Sequence, residues 1–304
     1  MESWKSPHGR ALPLLGQRTL IMAVLNATPD SFSDGGQLST PAAAVVRVRA
    51  LIAEGADVID VGGESTRPGA QTVSEEEELN RVIPVIRAVR AEWPDLPLSI
   101  DTYKAGVADA AIECGADIVN DVWGLMYGII QPDRNRWRAA AQNGVDPRIL
   151  PPSPMAVVVA RRKCPVILMH NRVDRDYGDF WADVLLDLKA SLLVAREAGV
   201  QSQQILLDPG FGFAKNPPQN LEILRELKRV CALGFPVLVG TSRKSTIGAV
   251  LGTPVHDRLE GGAATVIWAI QQGCAMIRLH DVKEMTRFVR MADAIKAGLS
   301  FTPG

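Results

Sequence analysis

The sequence has 304 residues, 47% of them hydrophobic, which supplies ample material for a core and excludes an intrinsically disordered chain. Lysine and arginine total 33 against 34 aspartates and glutamates, and this net charge of −1 argues against broad adhesion to nucleic acids or membranes. No apolar run approaches the ~20 residues of a membrane span, and the segment up to Arg18 lacks an apolar signal core, so we expect a cytoplasmic protein.

Short β-rich apolar runs alternate with longer segments of helical periodicity along the chain. The predicted strands are Thr19–Leu25, Asp57–Val61, Leu98–Asp101, Asp117–Asp121, Val166–Met169, Gln204–Asp208, Pro236–Thr241 and Ala275–His280. The predicted helices are Pro41–Glu54, Ser74–Glu92, Lys104–Cys114, Pro154–Lys163, Phe180–Ala198, Gln219–Ala232, Arg258–Gln272 and Lys283–Lys296. Eight such units predict an α/β fold, a single (β/α)8 TIM barrel over 19–298, with an N-terminal segment 1–18 and a C-terminal tail 299–304. An open, doubly wound sheet is the alternative.

One strand-to-helix connection is far longer than the others. The stretch Trp123–Pro152, after the predicted fourth strand, is rich in Arg, Asn and Pro, and we expect an extended loop with a short helix around Arg134–Gln142. The insertion itself spans about Gly128–Pro152. A loop of this length in a compact domain is usually functional or disordered.

Cysteine spacing gives no sign of a metal or redox motif. The four cysteines are widely separated along the chain, and we expect them to be buried, reduced thiols. They are Cys114, Cys164, Cys231 and Cys274.

Polar side chains stand at the carboxyl ends of the predicted strands, the face that builds the active site of a TIM barrel. Turn-forming Asn and Asp explain one or two such positions but not charged residues inside apolar runs. The acidic and amide members are Asn26, Asp101, Asn120 and Asp208, and the cationic members are Arg67, Arg243, Lys244, Arg278 and His280. Carboxylates and amides inside a barrel suit a flat polar heterocycle with hydrogen-bond donors on its edge.

The last predicted strand carries two of the cationic side chains on one face. Residues two apart in a strand share a face, so Arg278 and His280 point into the barrel, while Ile277 and Leu279 face the helices. A buried arginine without an anion is costly, so Arg278 requires either an anionic ligand or an internal carboxylate. Both possibilities stay open at this point.

The segment Gly240–Ser245 joins a predicted strand to the start of a helix, where free backbone N–H groups favour an anion. It lacks the Gly-x-x-x-x-Gly-Lys-Ser/Thr spacing of a phosphate-binding P-loop.

Together the motifs resemble the dihydropteroate synthase family, in the family's order and from about Thr19 to Lys296. The matching segments are 25–36 (LNATPDSFSDGG), 62–69 (GGESTRPG), 99–104 (SIDTYK), 119–122 (VNDV), 168–170 (LMH), 207–213 (LDPGFGF), 240–245 (GTSRKS) and 277–282 (IRLHDV). The resemblance implies a (β/α)8 fold. It also implies a transferase of folate biosynthesis that condenses 6-hydroxymethyl-7,8-dihydropterin diphosphate with 4-aminobenzoate, giving 7,8-dihydropteroate and diphosphate.

The resemblance also implies roles for individual residues. The pterin would be bound by Asp101, Asn120, Asp208 and Lys244, and the diphosphate by Asn26, Arg67, Arg278 and His280. The 4-aminobenzoate site would be bounded by Phe32, Thr66, Arg67, Pro68, Phe213 and Ser242. The catalytic set would be Asp34, Lys244, Arg278 and His280. The cofactor would be Mg²⁺ held by Asn26, the partners would be small-molecule substrates without nucleic acid or membrane, and the assembly would be a homodimer.

For the chemistry we expect a dissociative, SN1-like route in which diphosphate leaves before the amine attacks. Two other readings are a pterin-binding barrel that passes a methyl group to a corrinoid protein and a pterin-binding paralogue without catalysis. The chain departs from the family where Thr246 stands in place of a usual Phe near 4-aminobenzoate, and in the length of Gly128–Pro152.

Overall fold

The computed structural model describes residues 4–27, 40–65, 71–129, 131–144, 150 and 153–298. Within them eight parallel strands form one sheet in the order β6-β5-β4-β3-β2-β1-β8-β7. A parallel β-bridge between Leu207 of β6 and Val237, the residue before β7, closes the sheet into a barrel. The strands are β1 Leu20–Asn26, β2 Val58–Gly62, β3 Leu98–Asp101, β4 Ile118–Asp121, β5 Val166–Met169, β6 Ile205–Asp208, β7 Leu238–Val239 and β8 Met276–Leu279. The predicted TIM barrel is confirmed, and the open sheet is wrong.

Helices separate the strands along the described residues. They are α1 Pro41–Glu54, α2 Glu75–Glu92, α3 Ala105–Glu113, α4 Gln131–Asn143, α5 Pro154–Arg162, α6 Phe180–Ala198, α7 Pro217–Arg225, α8 Lys228–Cys231, α9 Ser245–Leu251, α10 Leu259–Gln272 and α11 Val282–Ala297, with a 3-10 turn at Ser202–Gln204. No helix in the described part of the chain is both long and apolar enough to span a membrane.

Two predicted elements differ from the structure. The helix predicted over Gln219–Ala232 is divided into α7 and α8, because Glu226 leaves helical geometry (φ −112°, ψ 24°) and the next residue, Leu227, is fully buried in the core. The strand predicted over Pro236–Thr241 pairs along β8 only at Leu238 and Val239.

The N-terminal segment closes the lower end of the barrel. Inward side chains at the amino ends of the strands form an apolar layer, and Trp4 and Leu12 pack against it. Trp4 is 2% exposed and its indole N–H donates to the Pro13 carbonyl at 2.8 Å. This layer consists of Leu20, Met22, Val58, Ile118, Ile167, Leu206, Leu238 and Met276. Residues 4–18 are therefore part of the barrel's packing.

Truncating Trp4, which packs against the apolar layer, should destabilise the whole barrel. We expect Trp4→Ala to lower the free energy of unfolding by about 3–5 kcal/mol, because it opens a cavity against a closely packed layer. Urea denaturation of the variant beside Leu14→Ala, whose side chain is 50% exposed, measures this effect. Equal losses in the two variants would show that the segment does not seal the barrel.

The described part of the insertion is ordered as helix α4. Trp137 is 2% exposed, and Arg138 makes ion pairs with Asp183 and Asp187 of α6 at 2.5 and 3.0 Å. The predicted short helix is thus confirmed and somewhat longer than expected. It packs on the barrel's helical layer, and residues 130, 145–149, 151 and 152 lie outside the described residues.

Candidate active site

Above the apolar layer, inward positions of the barrel become polar. Strand register places Asp101 beside Asn120 of the next strand, and Gly62 beside Asp101 on the other side. Asp208 ends β6 and Arg278 lies in β8, and both alternate with residues that face the helices. Asp101, Asn120, Asp208 and Arg278, which the sequence assigned to a pterin and a diphosphate, therefore converge at one end of the barrel.

Arg278 is held by two carboxylates in this structure. Its Nε donates to Asp60 Oδ2 and its Nη2 to Asp101 Oδ2, both at 2.6 Å. Asn120 Nδ2 donates to the same Asp60 oxygen at 3.1 Å. Of the two possibilities left open by the sequence, the internal carboxylate is present.

Asp60 is a site residue that sequence reasoning missed. It is fully buried in β2, two residues before Gly62, and its side chain meets Arg278 and Asn120 inside the barrel. The two-residue alternation that placed Arg278 inside the barrel also predicts an inward Asp60, because Val58, Asp60 and Gly62 share a face of β2.

Burial and charge oppose each other in this cluster. Burial raises the pKa of Asp101 to about 7, although the Arg278 guanidinium acts in the opposite direction. Burial also lowers the pKa of Arg278, but the carboxylates of Asp60 and Asp101 outweigh it, and the guanidinium pKa lies above its ordinary value. Oδ1 of Asp60 and Oδ1 of Asp101 are buried without a hydrogen-bond partner among the described residues. The cluster therefore keeps acceptor capacity for a ligand.

Asp208 is oriented by the turn that follows it. The Gly210 N–H donates to Asp208 Oδ1 at 2.7 Å, and burial raises the pKa of this carboxyl to about 6. Gly210 has φ +70°, and a Cβ there would lie 2.0 Å from the His170 carbonyl oxygen. Only glycine fits this close approach, so the turn fixes the carboxylate.

A cation and an aromatic ring lie together at the same end. Lys244 Nζ is 4.2 Å from the centre of the Phe213 ring, and a Cβ on Gly212 would come within 3.0 Å of the Lys244 stem. Phe213 packs on a small apolar cluster that includes Tyr103 and Met169. This gives the site a flat apolar wall beside a positive charge.

His280 and Ser242 are also in contact. Ser242 Oγ lies 3.1 Å from His280 Nδ1 and accepts the His280 backbone N–H at 3.2 Å. The neighbouring Arg243 (φ +59°) turns to Asp281 instead, with Nε 3.1 Å from Oδ2. Arg243, which the sequence grouped with the other cations, is thus committed to an ion pair on the rim.

The ends of β2 and β3 are tied together by a buried ion network. Lys104 contacts both Glu64 and Glu78, and the Tyr103 hydroxyl donates to Glu64 at 2.7 Å. Glu64 is 7% and Glu78 1% exposed. These contacts hold the strand ends from which the site is built.

Asn26 ends β1 at the edge of the site. A Cβ on Gly62 would lie 3.8 Å from Asn26 Oδ1 and 3.7 Å from Asp101 Oδ2, so both oxygens lie close to this stretch of backbone. Amide and carboxylate oxygens are ligands that Mg²⁺ prefers. No cluster of three or more His, Cys, Asp or Glu that could hold a metal is found among the described residues.

Five of the predicted site residues cannot be placed. Phe32, Asp34, Thr66, Arg67 and Pro68 lie outside the described residues, so their roles stay predictions.

Thr246 does not line an open wall. It is 2% exposed, and its Oγ1 accepts a hydrogen bond from Asn220 Nδ2 at 3.0 Å. Asn220 Oδ1 in turn accepts the Gly212 N–H at 2.7 Å. The threonine therefore supports the Gly212 turn from behind, whereas the sequence suggested a wall of the 4-aminobenzoate site.

A cavity of about 230 Å³ lies beside the barrel end, between α4 and the segment after β5. Among its lining residues are Arg138, Arg172 and Asp187. Both arginines are ion-paired with Asp187, at 3.0 Å from Arg138 and 2.6 Å from Arg172. Its charges are thus largely compensated, and it shares none of the aspartates that surround Arg278.

Comparison with known proteins agrees with this geometry. Residues 22–280 match the family model described as pterin binding enzyme, so the fold and the site define a pterin-binding barrel. The dihydropteroate synthases of Clostridium beijerinckii and Bacillus subtilis are 47% and 46% identical, over 92% of this chain in each case and over 96% and 89% of theirs. The chain belongs to the dihydropteroate synthase family.

Solved structures show the same similarity. The Xanthomonas albilineans dihydropteroate synthase with 4-aminobenzoic acid has a TM-score of 0.82 and 40% identity, covering 97% of this chain and 100% of that one. The Coxiella burnetii dihydropteroate synthase in complex with pteroic acid has a TM-score of 0.80 and 30% identity, covering 97% and 98%. These relatives favour the dihydropteroate synthase interpretation over a methyl-transfer barrel.

Proposed function

We propose that this chain condenses 6-hydroxymethyl-7,8-dihydropterin diphosphate with 4-aminobenzoate to give 7,8-dihydropteroate and diphosphate, as a transferase of folate biosynthesis. The observation that carries the proposal is the convergence of Asp101, Asn120 and Asp208 around Arg278 inside the barrel. Relatives solved with 4-aminobenzoic acid and with pteroic acid support it.

The pterin would enter edge-first. Its aminopyrimidine edge presents adjacent N–H donors, and Asp208, ionised above its pKa of about 6, accepts them. Asn120 and the unpartnered oxygen of Asp101 complete the polar rim. Lys244 donates to the carbonyl and ring-nitrogen acceptors, while Phe213 covers the apolar face.

The diphosphate would meet the cationic side of the site. The two bonds from Arg278 to carboxylates use two of the five N–H donors of a guanidinium, which leaves donors for phosphate oxygens. His280 and, outside the described residues, Arg67 would add to this anion site. Asn26 Oδ1 would hold Mg²⁺, which keeps water and phosphate oxygens as its other ligands. When bound, the ion would supply positive charge against the leaving diphosphate.

The protein contributes placement and electrostatics more than proton transfer. The aromatic amine of 4-aminobenzoate is neutral at pH 7, so it needs no strong base. We propose that Arg278 and His280 stabilise the departing diphosphate while Asp208 and Asp101 face the pterin, whose ring delocalises the positive charge left on its methylene carbon. The amine nitrogen then bonds to this carbon, and the resulting cationic amine loses one proton to solvent to give the product. Asp34, outside the described residues, would stabilise the cation electrostatically.

Product formation tests the proposal directly. The purified chain, incubated with the pterin diphosphate, 4-aminobenzoate and Mg²⁺, is expected to release diphosphate and 7,8-dihydropteroate in equal amounts. Pterin binding without product would support the non-catalytic paralogue instead. Methyl transfer from a methylated pterin to a corrinoid protein, without condensation, would support the methyl-transfer class.

We further propose the homodimer that the family resemblance implies, formed through α10 and α11. Exposed apolar side chains line these neighbouring helices: Phe288, Met291 and Ile295 share one face of α11, and Ile267 and Trp268 lie on α10. Several exposed apolar side chains on neighbouring helices are typical of a protein interface.

A charge placed in this surface should separate the subunits. We expect the parent to have about twice the 32.8 kDa mass of one chain by light scattering, and Met291→Glu to have the mass of one chain. Val173→Glu, at a position 81% exposed on the segment after β5, is the matched control. A Met291→Glu protein of unchanged mass would exclude this surface. A cytoplasmic location stays a prediction. All four cysteines are free thiols as expected, but only Cys164 and Cys274 are buried, while Cys114 and Cys231 are half-buried, so the prediction of four buried thiols is wrong for these two.

A further inference from the structure

We propose that Lys215 is a positioning residue of the pterin site: its buried ammonium clamps the β6–α7 loop (residues 209–216) and, through that loop, orients Asp208 and Phe213. The inference rests on the proposed function, because it assigns Asp208 to the pterin. Sequence reasoning missed Lys215, which lies between strand and helix with no periodic signal around it.

Lys215 is buried without a carboxylate as its direct partner. It is 4% exposed, and its Nζ lies 2.8 Å from His170 Nδ1, 3.1 Å from the Gly210 oxygen and 3.0 Å from the Phe213 oxygen. An ammonium has three N–H donors, and here each has one acceptor. Replacement by an apolar side chain would remove the donor from His170 Nδ1 and from the Phe213 oxygen, while the Gly210 oxygen would still accept the Phe213 N–H at 3.0 Å.

The imidazole of His170 connects this clamp to the helical layer. Burial lowers the pKa of His170 to about 4, so at neutral pH its Nδ1 accepts from Lys215 and its Nε2–H donates to Asp187 Oδ2 at 3.1 Å. Arg172 Nε fixes the same Asp187 oxygen at 2.6 Å. His170, Asp187 and Arg172 therefore hold the Lys215 ammonium from the side of the helical layer. Because the ammonium is fixed there, it anchors the loop that it contacts.

Both carbonyls held by Lys215 belong to residues that shape the site. Gly210 donates its N–H to Asp208 Oδ1, and Lys215 holds the carbonyl of the same residue. Holding this carbonyl restricts rotation about the Gly210 Cα, which keeps the N–H aimed at the carboxylate. Phe213 carries the ring beneath Lys244. The loop also contains a left-handed residue, Ala214 (φ +47°), whose carbonyl accepts the Tyr177 hydroxyl at 3.0 Å. Such backbone needs external support to persist.

Lys215 also acts on Asp208 through its charge. Burial raises the pKa of Asp208, and the positive charges of Lys244 and Lys215 oppose that rise. Burial lowers the pKa of Lys215 to about 7, so the lysine is still protonated at the pH where Asp208 titrates. The other charged groups facing Lys215 are Asp187, Arg172 and Lys244, with His170 neutral.

The sign of the effect follows from these charges. Asp208 must be ionised to accept two donors from the pterin. Removing the Lys215 charge raises the pKa of Asp208 further, so binding is lost at a higher pH during acidification. Asp101 also titrates, but its charged neighbours are Arg278, Asp60, Glu78 and Lys244, so the change at 215 leaves its step in place.

The test measures binding of 6-hydroxymethylpterin by calorimetry between about pH 5 and pH 7.5. We expect Lys215→Met to weaken binding at pH 7 by more than about tenfold and to move the acid step of Asp208 upward by about one pH unit. The KM for 4-aminobenzoate is expected to rise by a smaller factor, because Phe213 is one of six residues assigned to that site, whereas Asp208 faces the pterin directly. Thr246→Val is the matched control: it releases the same loop at Gly212 through Asn220 and removes no charge, so the acid step should stay in place.

Lys215→Arg keeps the charge and tests the idea if the Met variant does not fold. It should keep the acid step at the parent pH even if affinity falls. The proposal would be overturned if the acid step of Asp208 stayed in place in Lys215→Met or shifted in Lys215→Arg. It would also be overturned if Lys215→Met weakened the binding of the pterin and of 4-aminobenzoate by equal factors. A parent that does not bind the probe would instead contradict the proposed function, on which this inference rests.

Discussion

Asp208→Asn is expected to weaken binding of 6-hydroxymethylpterin by well over about tenfold, because it leaves buried groups mispaired. The Gly210 N–H donates to Asp208 Oδ1, so the amide oxygen of Asn would take this position. The amide NH₂ would then face the ligand, where it would oppose the donors of the pterin edge. The substitution thus turns an acceptor into a donor without changing the shape of the site.

Calorimetry at pH 7.5 measures this effect with Asp208 ionised, above its pKa of about 6. Asp121→Asn is the matched control. Asp121 is also a fully buried carboxyl at a strand end, also with its pKa raised by burial to about 6, but it accepts the Trp123 and Leu125 N–H groups. Its substitution should affect stability more than affinity. Near-parent affinity in Asp208→Asn would remove Asp208 from the site.

Arg278→Ala is expected to abolish most turnover and to destabilise the fold by about 3–5 kcal/mol, since it leaves buried carboxylates without their cation. The guanidinium bonds Asp60 and Asp101 at 2.6 Å each, so the variant loses two charge-assisted hydrogen bonds inside the barrel. Because Arg278 is assigned to the leaving group, turnover should fall by a larger factor than affinity for a pterin without diphosphate.

The destabilisation should depend on pH. Arg278 opposes the burial that raises the pKa of Asp101 to about 7, so its loss raises that pKa further. A carboxyl with a folded pKa above its unfolded value of about 3.9 costs stability as pH rises through that interval and costs none below it. The deficit of Arg278→Ala relative to the parent should therefore be larger at pH 8 than at about pH 5.

Arg90→Ala provides the control for losing a buried arginine. Arg90 bonds Asp117 at 2.9 Å at the opposite end of the barrel, so its loss should lower stability and leave turnover per folded molecule near the parent value. Denaturation at both pH values, together with steady-state rates, compares the two variants. Equal turnover losses would show that Arg278 acts only through the fold.

Much of the architecture could be predicted from local pattern. Apolar runs and helical periodicity located every strand and most helices because each element buries one face. The two-residue alternation in β8 correctly predicted that Arg278 points into the barrel and that Ile277 faces the helices. Ile277 and Leu279 both belong to the core between the strands and the helices. Polar residues at strand ends marked the correct end because parallel strands present their carboxyl ends together.

The remainder depends on contacts between distant segments. Whether Arg278 meets a ligand or a carboxylate is decided by the alignment of β8, β2 and β3, which no single strand reveals. The buried position of Lys215 could not be predicted from sequence periodicity, because its three acceptors are a side chain from another strand end, His170, and two loop carbonyls. The sequence suggested that Thr246 lines the 4-aminobenzoate site in place of a Phe. Its burial against Asn220 instead follows from the packing of α9 on α7.

The most direct measurement is a crystal structure of this chain with pteroic acid bound. The account predicts the pterin ring inside the carboxyl end of the barrel, with its donor edge on Asp208, further contacts to Asn120 and Lys244, and Arg278 still bonded to Asp60. A pterin ring elsewhere, for example in the cavity between Trp123 and Arg172, or one bound at the barrel end without contact to Asp208, would contradict it.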